Sequence, residues 1–160
     1  MVNKGADTVC VVNTKTRSIV KSVDVGSEPR GAVVTPDGAY VYVSCVDNNT
    51  VSKIRTSDNT VVNTLSGGFD YPRGMDITPS GDKIYVGHCY NANDKLISVI
   101  NTSNDAVSQI PLGSYISYCD VALVPELNRL YIANQWEYAV QVLNTNNDTE
   151  ITGAQGIQFV

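Results

Sequence analysis

Arginine, cysteine and histidine side chains are the residues of this sequence that could take part in binding or catalysis. Arg30 and Arg73 lie in matching Pro-Arg-Gly triplets, and paired guanidinium groups could hold a carboxylate or a phosphate. The alternative is structural, with each arginine bonding carbonyl groups or an acid of a neighbouring segment. Asp76 and Asp120 are the candidate acidic partners. The structural role is favoured, and the anion-binding role stays open.

The four cysteines and the single histidine raise the question of a metal site. The chain has no CxxC or HxxxH spacing, and His88 and Cys89 are adjacent, which rarely suits two ligands of one ion. The Asp- and Asn-rich loops at 47–50 and 144–149 lack the ligand order of a calcium-binding loop with its terminal Glu. We therefore predict no metal site and no cofactor.

Catalytic and nucleic-acid-binding signals are also missing from the sequence. There is no GxSxG, HExxH, phosphate-loop or Rossmann glycine pattern, and one histidine leaves little room for a catalytic triad. A net charge of −5 over 160 residues argues against a nucleic-acid-binding surface. No run approaches the roughly 18 apolar residues of a membrane span, and residues 1–25 contain no apolar block resembling a signal peptide.

An internal repeat shows which elements must position these side chains. The Pro-Arg-Gly triplet at 29–31 recurs at 72–74, and the corresponding slot at 118–120 reads Tyr-Cys-Asp. Each triplet is followed by a proline and then by YVSC, YVGH or YIAN. The period is 43 residues between the first two units and 46 between the next two, and a longer loop at 89–95 accounts for the difference. Such a period predicts a repeat architecture.

Each repeat unit reads as four short strands. In the first full unit the predicted strands are Gly31–Thr35, Tyr40–Cys45, Val51–Arg55 and Thr60–Leu65, with PDG, DNN and SDN turns between them. Four short antiparallel strands in a repeat of about 40–45 residues are typical of a β-propeller blade. We therefore predict an all-β fold, a β-propeller built of four-stranded antiparallel blades.

The repeat register divides the chain into one half blade and three blades. Residues 1–28 supply the third and fourth strands of a half blade, and the blades span 29–71, 72–117 and 118–160. Closed propellers typically have 4–8 blades, so about three and a half blades suggest part of a seven-bladed ring. We expect the missing blades to be supplied in cis, by a longer chain, or in trans, by self-association. The longer chain is favoured because Met1 falls inside a strand.

The repeated residues also resemble a known family. Residues 29–65 contain PRG, TPDG, YVSC, NTVSKIRT and NTVV in order, which is similar to the YVTN-type β-propeller repeat of archaeal surface-layer proteins and bacterial secreted or periplasmic proteins. The resemblance covers practically the whole chain. Cys45 and His88 occupy the slot where the family motif has Asn, whereas Asn134 keeps it. The resemblance implies a location outside the cytoplasm, at the cell surface or in the periplasm.

The blade register places the candidate site residues near one face of the propeller, where the first strand of each blade begins and the second ends. The candidate ligand-binding residues at the mouth of the central channel are Arg30, Arg73, His88 and Cys119. Asp76 and Asp120, in or beside the innermost strands, would instead neutralise the arginines.

The same face contains all four cysteines. Disulfides are one hypothesis, with Cys89–Cys119 the best candidate pair between neighbouring blades and Cys10–Cys45 the next. The favoured alternative is that each cysteine is a small buried hydrophobic residue. Asn48, Asn101 and Asn147 begin N-glycosylation sequons on predicted loops, which supports an exterior location only mildly.

The function predicted from the sequence is that of a non-enzymatic extracellular or cell-surface propeller that acts as a binding or structural scaffold. Its loops and channel mouth would contact a protein or a glycan, and no nucleic acid or membrane span is expected. The alternative is a propeller enzyme, similar to lactonases or to cofactor-dependent oxidoreductases, with its site at the central channel. The single histidine and the lack of ligand spacing favour the scaffold over the enzyme.

Overall fold

Short antiparallel strands make up nearly all of the regular structure in the part of the chain that the structure describes. The computed structural model describes residues 1–89, 96–112, 120–134 and 138–151. Within these ranges the strands form one three-stranded sheet and three four-stranded sheets, and neighbouring strands in each sheet are consecutive in the sequence. The all-β prediction is confirmed, and the arrangement is that of a partial β-propeller.

Most strands are six or seven residues long, and the three shorter ones, in the first and fourth sheets, have two to four residues. The first sheet consists of β1 Val2–Asn3, β2 Thr8–Asn13 and β3 Ser18–Asp24. The second consists of β4 Pro29–Val34, β5 Tyr40–Cys45, β6 Thr50–Arg55 and β7 Thr60–Ser66. The third consists of β8 Pro72–Ile77, β9 Lys83–His88, β10 Leu96–Asn101 and β11 Ala106–Pro111. The fourth consists of β12 Val121–Val124, β13 Arg129–Asn134, β14 Ala139–Asn144 and β15 Thr149–Glu150.

The β-turn that joins the last two strands of a sheet has a residue with positive φ at the same position in every sheet. We call it the outer turn. Asn59, Asp105 and Asp148 occupy one position of this turn with φ values of 54°, 59° and 55°, and Arg17 has φ of 57° at the matching position of the first sheet. Asn and Asp tolerate this left-handed region better than most residues do. The outer turn therefore points one particular side chain out of each sheet.

Apolar side chains fill the space between adjacent sheets. Tyr42, Val51 and Leu65 of the second sheet pack with Ile84 and Ile100 of the third in one buried cluster. Equivalent clusters lie at the other two contacts between adjacent sheets. Each sheet is thus buried by its neighbours, as stacked propeller blades are, and apolar burial is the main source of stability between them.

The innermost strands of neighbouring sheets approach each other closely at the repeated glycine of the Pro-Arg-Gly triplet. A Cβ added at Gly31 would fall far inside van der Waals contact with the carbonyl oxygen of Arg73. Ser44 Oγ donates to that carbonyl at 2.7 Å and accepts from the Gly31 amide at 2.8 Å. Gly74 is packed in the same way against Asp120. This close approach brings the arginines of successive triplets to the same rim.

Helical structure in the described ranges is limited to two short 3-10 turns, Lys4–Ala6 and Pro125–Leu127. Among the described residues, no helix is long and apolar enough to cross a membrane.

Candidate functional site

A polar cleft, which we call the channel-side cleft, opens at the rim where the innermost strands of the sheets begin. Its volume is about 240 Å³, and its lining includes Lys4, Glu28, Arg30, Asp47, Arg73 and Cys89. Lys4 comes from the 3-10 turn between β1 and β2, whereas Arg30 and Arg73 come from the second and third sheets. The structure thus brings both predicted arginines to one cleft, where three basic side chains meet two acidic ones.

Glu28 is the centre of the charge network in this cleft. Its Oε1 lies 2.5 Å from Lys4 Nζ and 2.5 Å from Arg30 Nη2. Hydrogen bonds from Lys4, Asp47 and Arg30 lower the pKa of Glu28 to about 2. The same contact raises the pKa of Asp47, because the two carboxyl groups share a hydrogen bond and repel each other when both are charged. Glu28 is therefore a permanently ionised anchor for two cations and a poor base near neutral pH.

Arg73 and Cys89 interact with each other in the lining of the same cleft. Cys89 is buried, and its amide donates to the Tyr71 carbonyl at 3.0 Å. Burial raises the pKa of the Cys89 thiol, although the neighbouring Arg73 guanidinium opposes this shift by a hydrogen bond and by its charge. A thiol with a raised pKa is mostly protonated at neutral pH, so Cys89 is a weak nucleophile.

His88 does not line the cleft, although the sequence places it at the channel mouth. Its side chain is 1% exposed, and Nε2 lies 2.9 Å from Ser98 Oγ on the neighbouring strand β10. Ser98 Oγ in turn donates to the Gly68 carbonyl. Burial lowers the pKa of His88 to about 4, with Asp70 opposing the shift. His88 is therefore a neutral, buried group that helps to hold a strand and a loop together.

The predicted pairing of Cys10 with Cys45 is not formed. Both residues are buried free thiols. Cys10 Sγ lies 3.8 Å from Ser22 Oγ, and Cys45 Sγ lies 3.7 Å from Ser52 Oγ. Each thiol thus contacts a serine of its own sheet, as a small buried side chain does.

The other predicted disulfide cannot be followed in the structure. Cys89 is a free thiol, and its suggested partner Cys119 lies outside the described residues, so the ligand-binding role suggested for Cys119 also stays a prediction. Among the described residues, no group of three or more His, Cys, Asp or Glu side chains is placed to hold a metal ion.

The three sequon asparagines are exposed, and each takes part in a local hydrogen bond. Asn48 Oδ1 accepts from the Ser27 amide, Asn101 Oδ1 accepts from the Ser103 amide at 3.0 Å, and Asn147 Oδ1 accepts from Thr149 Oγ1 at 2.8 Å. These contacts shape turns, and glycosylation stays a prediction.

Asp76 does not serve as the counter-ion that the sequence suggests. Its Oδ1 accepts from the Ile77 amide at 2.8 Å, and its Oδ2 accepts from the Leu123 amide at 2.7 Å. Asp76 thus joins β8 to β12, and the acid that neutralises Arg30 is Glu28. Nothing in the sequence singles out Glu28, because it lies in the loop before the triplet and outside the repeated motif.

A second polar contact, which the sequence analysis did not find, recurs between sheets far from the cleft. Tyr42 Oη donates to Asp105 Oδ1 at 3.0 Å, and Lys53 Nζ lies 2.8 Å from the same oxygen. Asn63 Nδ2 donates to Asp105 Oδ2 at 2.9 Å. Lys53 Nζ also lies 4.5 Å from the centre of the Tyr40 ring. A carboxylate in the outer turn of one sheet is thus held by the sheet before it.

The next pair of sheets repeats this contact, which we call the tyrosine–aspartate contact. Tyr85 Oη donates to Asp148 Oδ1 at 2.7 Å, and Lys83 Nζ lies 2.6 Å from Asp148 Oδ2. Burial and the nearby carboxylate raise the pKa of Tyr85, so its hydroxyl remains a donor. The only signal in the sequence is an acid at the outer-turn position, and there it reads as a turn-forming residue.

The four sheets, their stacking and the channel-side cleft define the class of this protein as a β-propeller. Its fold is similar to that of Kuenenia stuttgartiensis hydrazine synthase, with a TM-score of 0.85 and 23% identity over 93% of this chain and 43% of that one. It is also similar to a putative 6-phosphogluconolactonase from Bacteroides uniformis, with a TM-score of 0.75 and 16% identity over 98% of this chain and 50% of that one.

These two similarities concern the fold alone. The chain spans about half the length of each of the two structures. No protein-family model matches the sequence, and no curated protein matches it either.

Proposed function

We propose that this chain is a non-enzymatic β-propeller scaffold that binds acidic groups of a partner at its channel-side cleft. The supporting observation is that the groups best suited to catalysis are committed to structural contacts. Glu28 is held between Lys4 and Arg30, His88 is buried against Ser98, and burial raises the pKa of Cys89. None of these three groups is poised to transfer a proton or to attack a substrate near neutral pH.

The cleft suits an acidic partner because basic side chains outnumber acidic ones there. Lys4, Arg30 and Arg73 face only Glu28 and Asp47 among the acidic residues of its lining. The Arg30 side chain is 35% exposed, so one edge of its guanidinium group is accessible. A guanidinium group matches a carboxylate in geometry as well as in charge. The ligand class that we propose is a carboxylate-bearing segment of a protein or an acidic glycan.

The proposed setting is outside the cytoplasm. The resemblance to the YVTN-type repeat supports it, and so does the exposure of Asn48, Asn101 and Asn147. Protease treatment of intact cells that express the native gene tests this setting: cleavage of the protein without lysis is expected. Protection until the cells are lysed would contradict it.

Binding can be tested with a fluorescein-labelled oligoglutamate peptide and fluorescence polarisation. We expect Arg30→Met to weaken binding about five-fold or more, because one charge-assisted contact is lost. Arg55→Met is the matched control, because Arg55 is an exposed arginine paired with Asp58 away from the cleft. Equal weakening by both variants would show non-specific attraction and would contradict the cleft as the binding site.

The absence of catalysis has a separate test. Purified protein is assayed for hydrolysis of sugar lactones, and we expect no rate above that of buffer. Turnover that Glu28→Gln or Asp47→Asn abolishes would replace the scaffold with the lactonase-like alternative. The similarity to a putative lactonase does not favour that alternative, because at 16% identity it concerns the fold only.

A further inference from the structure

The last described sheet has an open face with a tyrosine and a basic side chain, and a tyrosine and a lysine hold a carboxylate at each of the two contacts described above. Tyr42 and Tyr85 are fully buried by the sheet that follows them. Tyr131 occupies the same position on β13 but is only half-buried, and Arg129 beside it is exposed. Among the described residues, no carboxylate accepts a hydrogen bond from either side chain.

The strand registers show that these positions are equivalent. Tyr85 pairs with Asp76 on the first strand and with Val99 on the third. Tyr131 pairs with Ala122 and Val142 at the matching places of its own sheet. Arg129 precedes Tyr131 by two residues, as Lys83 precedes Tyr85. The pair Arg129 and Tyr131 therefore reproduces the arrangement that holds Asp148 one sheet earlier.

We propose that this open face, formed by β12–β15 around Arg129 and Tyr131, binds a further propeller blade with an aspartate in its outer turn. A phenol and a guanidinium group side by side offer three or more donors to one carboxylate. The aspartate is already displayed in the required left-handed conformation at Asp105 and Asp148. The open face is thus complementary to an aspartate carboxylate in the outer turn of the incoming blade.

A second copy of this chain, added head to tail, does not provide that feature. The outer turn of its first sheet has Arg17 in the left-handed position, and Arg17 would meet Arg129 with like charge. The next outer turn has Asn59 in that position, which offers no negative charge. The structures to which this chain is similar are about twice its length. A blade of different sequence is therefore the proposed occupant.

The proposal can be tested by extending residues 1–160 at the C terminus with a second copy of residues 118–160. The Asp148 of the appended copy should then bind Tyr131 and Arg129. We expect Asp148→Asn in the appended copy to raise the unfolding equilibrium constant about ten-fold in urea titrations, since a hydrogen-bonded charge is lost. In a Tyr131→Phe, Arg129→Met background the same substitution should have little effect.

Three further measurements decide the outcome. Tyr138→Phe, at an exposed tyrosine, is the control and should leave the equilibrium constant unchanged. Equal stability of the Asp and Asn versions would overturn the proposal, and so would an appended blade that is digested by protease as fast as unfolded chain. Asp148→Arg in the appended copy mimics Arg17. If it docks as stably as the aspartate version, a second copy is an adequate occupant and the proposal is wrong.

Discussion

The two tyrosine–aspartate contacts use the same carboxylate position but take their cation from different strands. At the contact between the second and third sheets, Lys53 of the third strand binds Asp105. At the contact between the third and fourth sheets, Lys83 of the second strand binds Asp148. The Lys53 side chain is 11% exposed and that of Lys83 is 32% exposed. The first contact is therefore the drier of the two, and Asn63 adds a further hydrogen bond to it.

The difference shows which parts of the contact are set by the repeat and which are not. Tyrosine and the outer turn occur at fixed places in each unit, because they belong to the strands and turns that build the blade. The cation only has to reach the carboxylate, so either of two strands can provide it. A register shift between Lys53 and Ile54 interrupts the β6–β7 pairing, whereas β10–β11 is regular. The first contact thus lies beside a register shift, and the second does not.

The largest expected loss of stability concerns the close approaches of the innermost strands at the same two sheet contacts, which we call the inner edges. Gly31→Ala would drive a methyl group into the Arg73 backbone carbonyl, whereas Gly74→Ala would meet the Asp120 carboxylate first and then Asp120 Cα at 2.8 Å. A carboxylate can move away more readily than a backbone carbonyl can, so we expect Gly31→Ala to cost about 3 kcal/mol of unfolding free energy and Gly74→Ala about 2 kcal/mol. Urea denaturation followed by circular dichroism measures both values. Equal costs would show that the two inner edges are equally adaptable.

The next largest expected loss of stability distinguishes the two tyrosine–aspartate contacts from each other. Asp105→Asn leaves Lys53 nearly buried without its counter-ion, whereas Asp148→Asn leaves a lysine that water can reach. We expect losses of about 2–3 kcal/mol and about 1 kcal/mol. The same urea titrations provide the measurement, and Asp58→Asn, in an exposed ion pair, is the control with little loss of stability expected, because water screens that pair. A larger loss at Asp148 than at Asp105 would contradict the assigned order.

Acid should weaken the first contact. Burial of Asp105 opposes ionisation, but hydrogen bonds from Lys53, Asn63 and Tyr42 lower its pKa below the ordinary value of 3.8. The unfolded chain therefore binds a proton more readily than the folded one, so this stabilisation is present above pH 3.8 and is lost as the pH falls through the folded pKa.

We expect the free energy of unfolding to fall less steeply below pH 3.8 in Asp105→Asn than in the unmodified chain, because the titrating group is gone. Urea midpoints measured at intervals of pH check this. Identical slopes in the two proteins would show that the Asp105 carboxyl does not have a lowered pKa in the folded state.

The smallest effect is expected from moving the cation of the second contact to the strand that provides it in the first. Val99 is the counterpart of Lys53 beside the buried tyrosine, and Lys83 is the counterpart of Tyr40. We expect Lys83→Tyr alone to cost about 1 kcal/mol and Lys83→Tyr with Val99→Lys to recover most of it. Thermal unfolding of the three proteins provides the comparison. A double variant less stable than the single one would mean that the second contact accepts a cation from β9 alone.

The strands and the blade class could be predicted from the sequence because both depend on local patterns. In the first full unit β5 matches its predicted bounds, and β4, β6 and β7 differ by two residues or fewer at either end. Pro-Asp-Gly and Asn-rich turns fix these ends by their backbone preferences. Because the units repeat, the strand assignment of one unit also predicts the strands of the others.

The polar contacts of the cleft and of the sheet interfaces could not be predicted from local sequence patterns. Glu28 lies outside the repeated motif, and Asp105 meets Tyr42 across 63 positions of sequence. His88 was expected at the channel mouth because strand β9 ends there, but its ring turns into the sheet towards Ser98. The direction of a side chain at a strand end depends on packing between sheets, which a repeat register does not contain.

The separation of 63 positions between each tyrosine and its aspartate also means that the two residues are synthesised at different times. During synthesis the phenol emerges first, and the carboxylate that completes its environment follows after about 3–13 seconds at ordinary elongation rates of roughly 5–20 residues per second. Until then the newest blade has an unfinished polar site among apolar neighbours. The second and third sheets therefore each gain this stabilising contact only when the next sheet has left the ribosome.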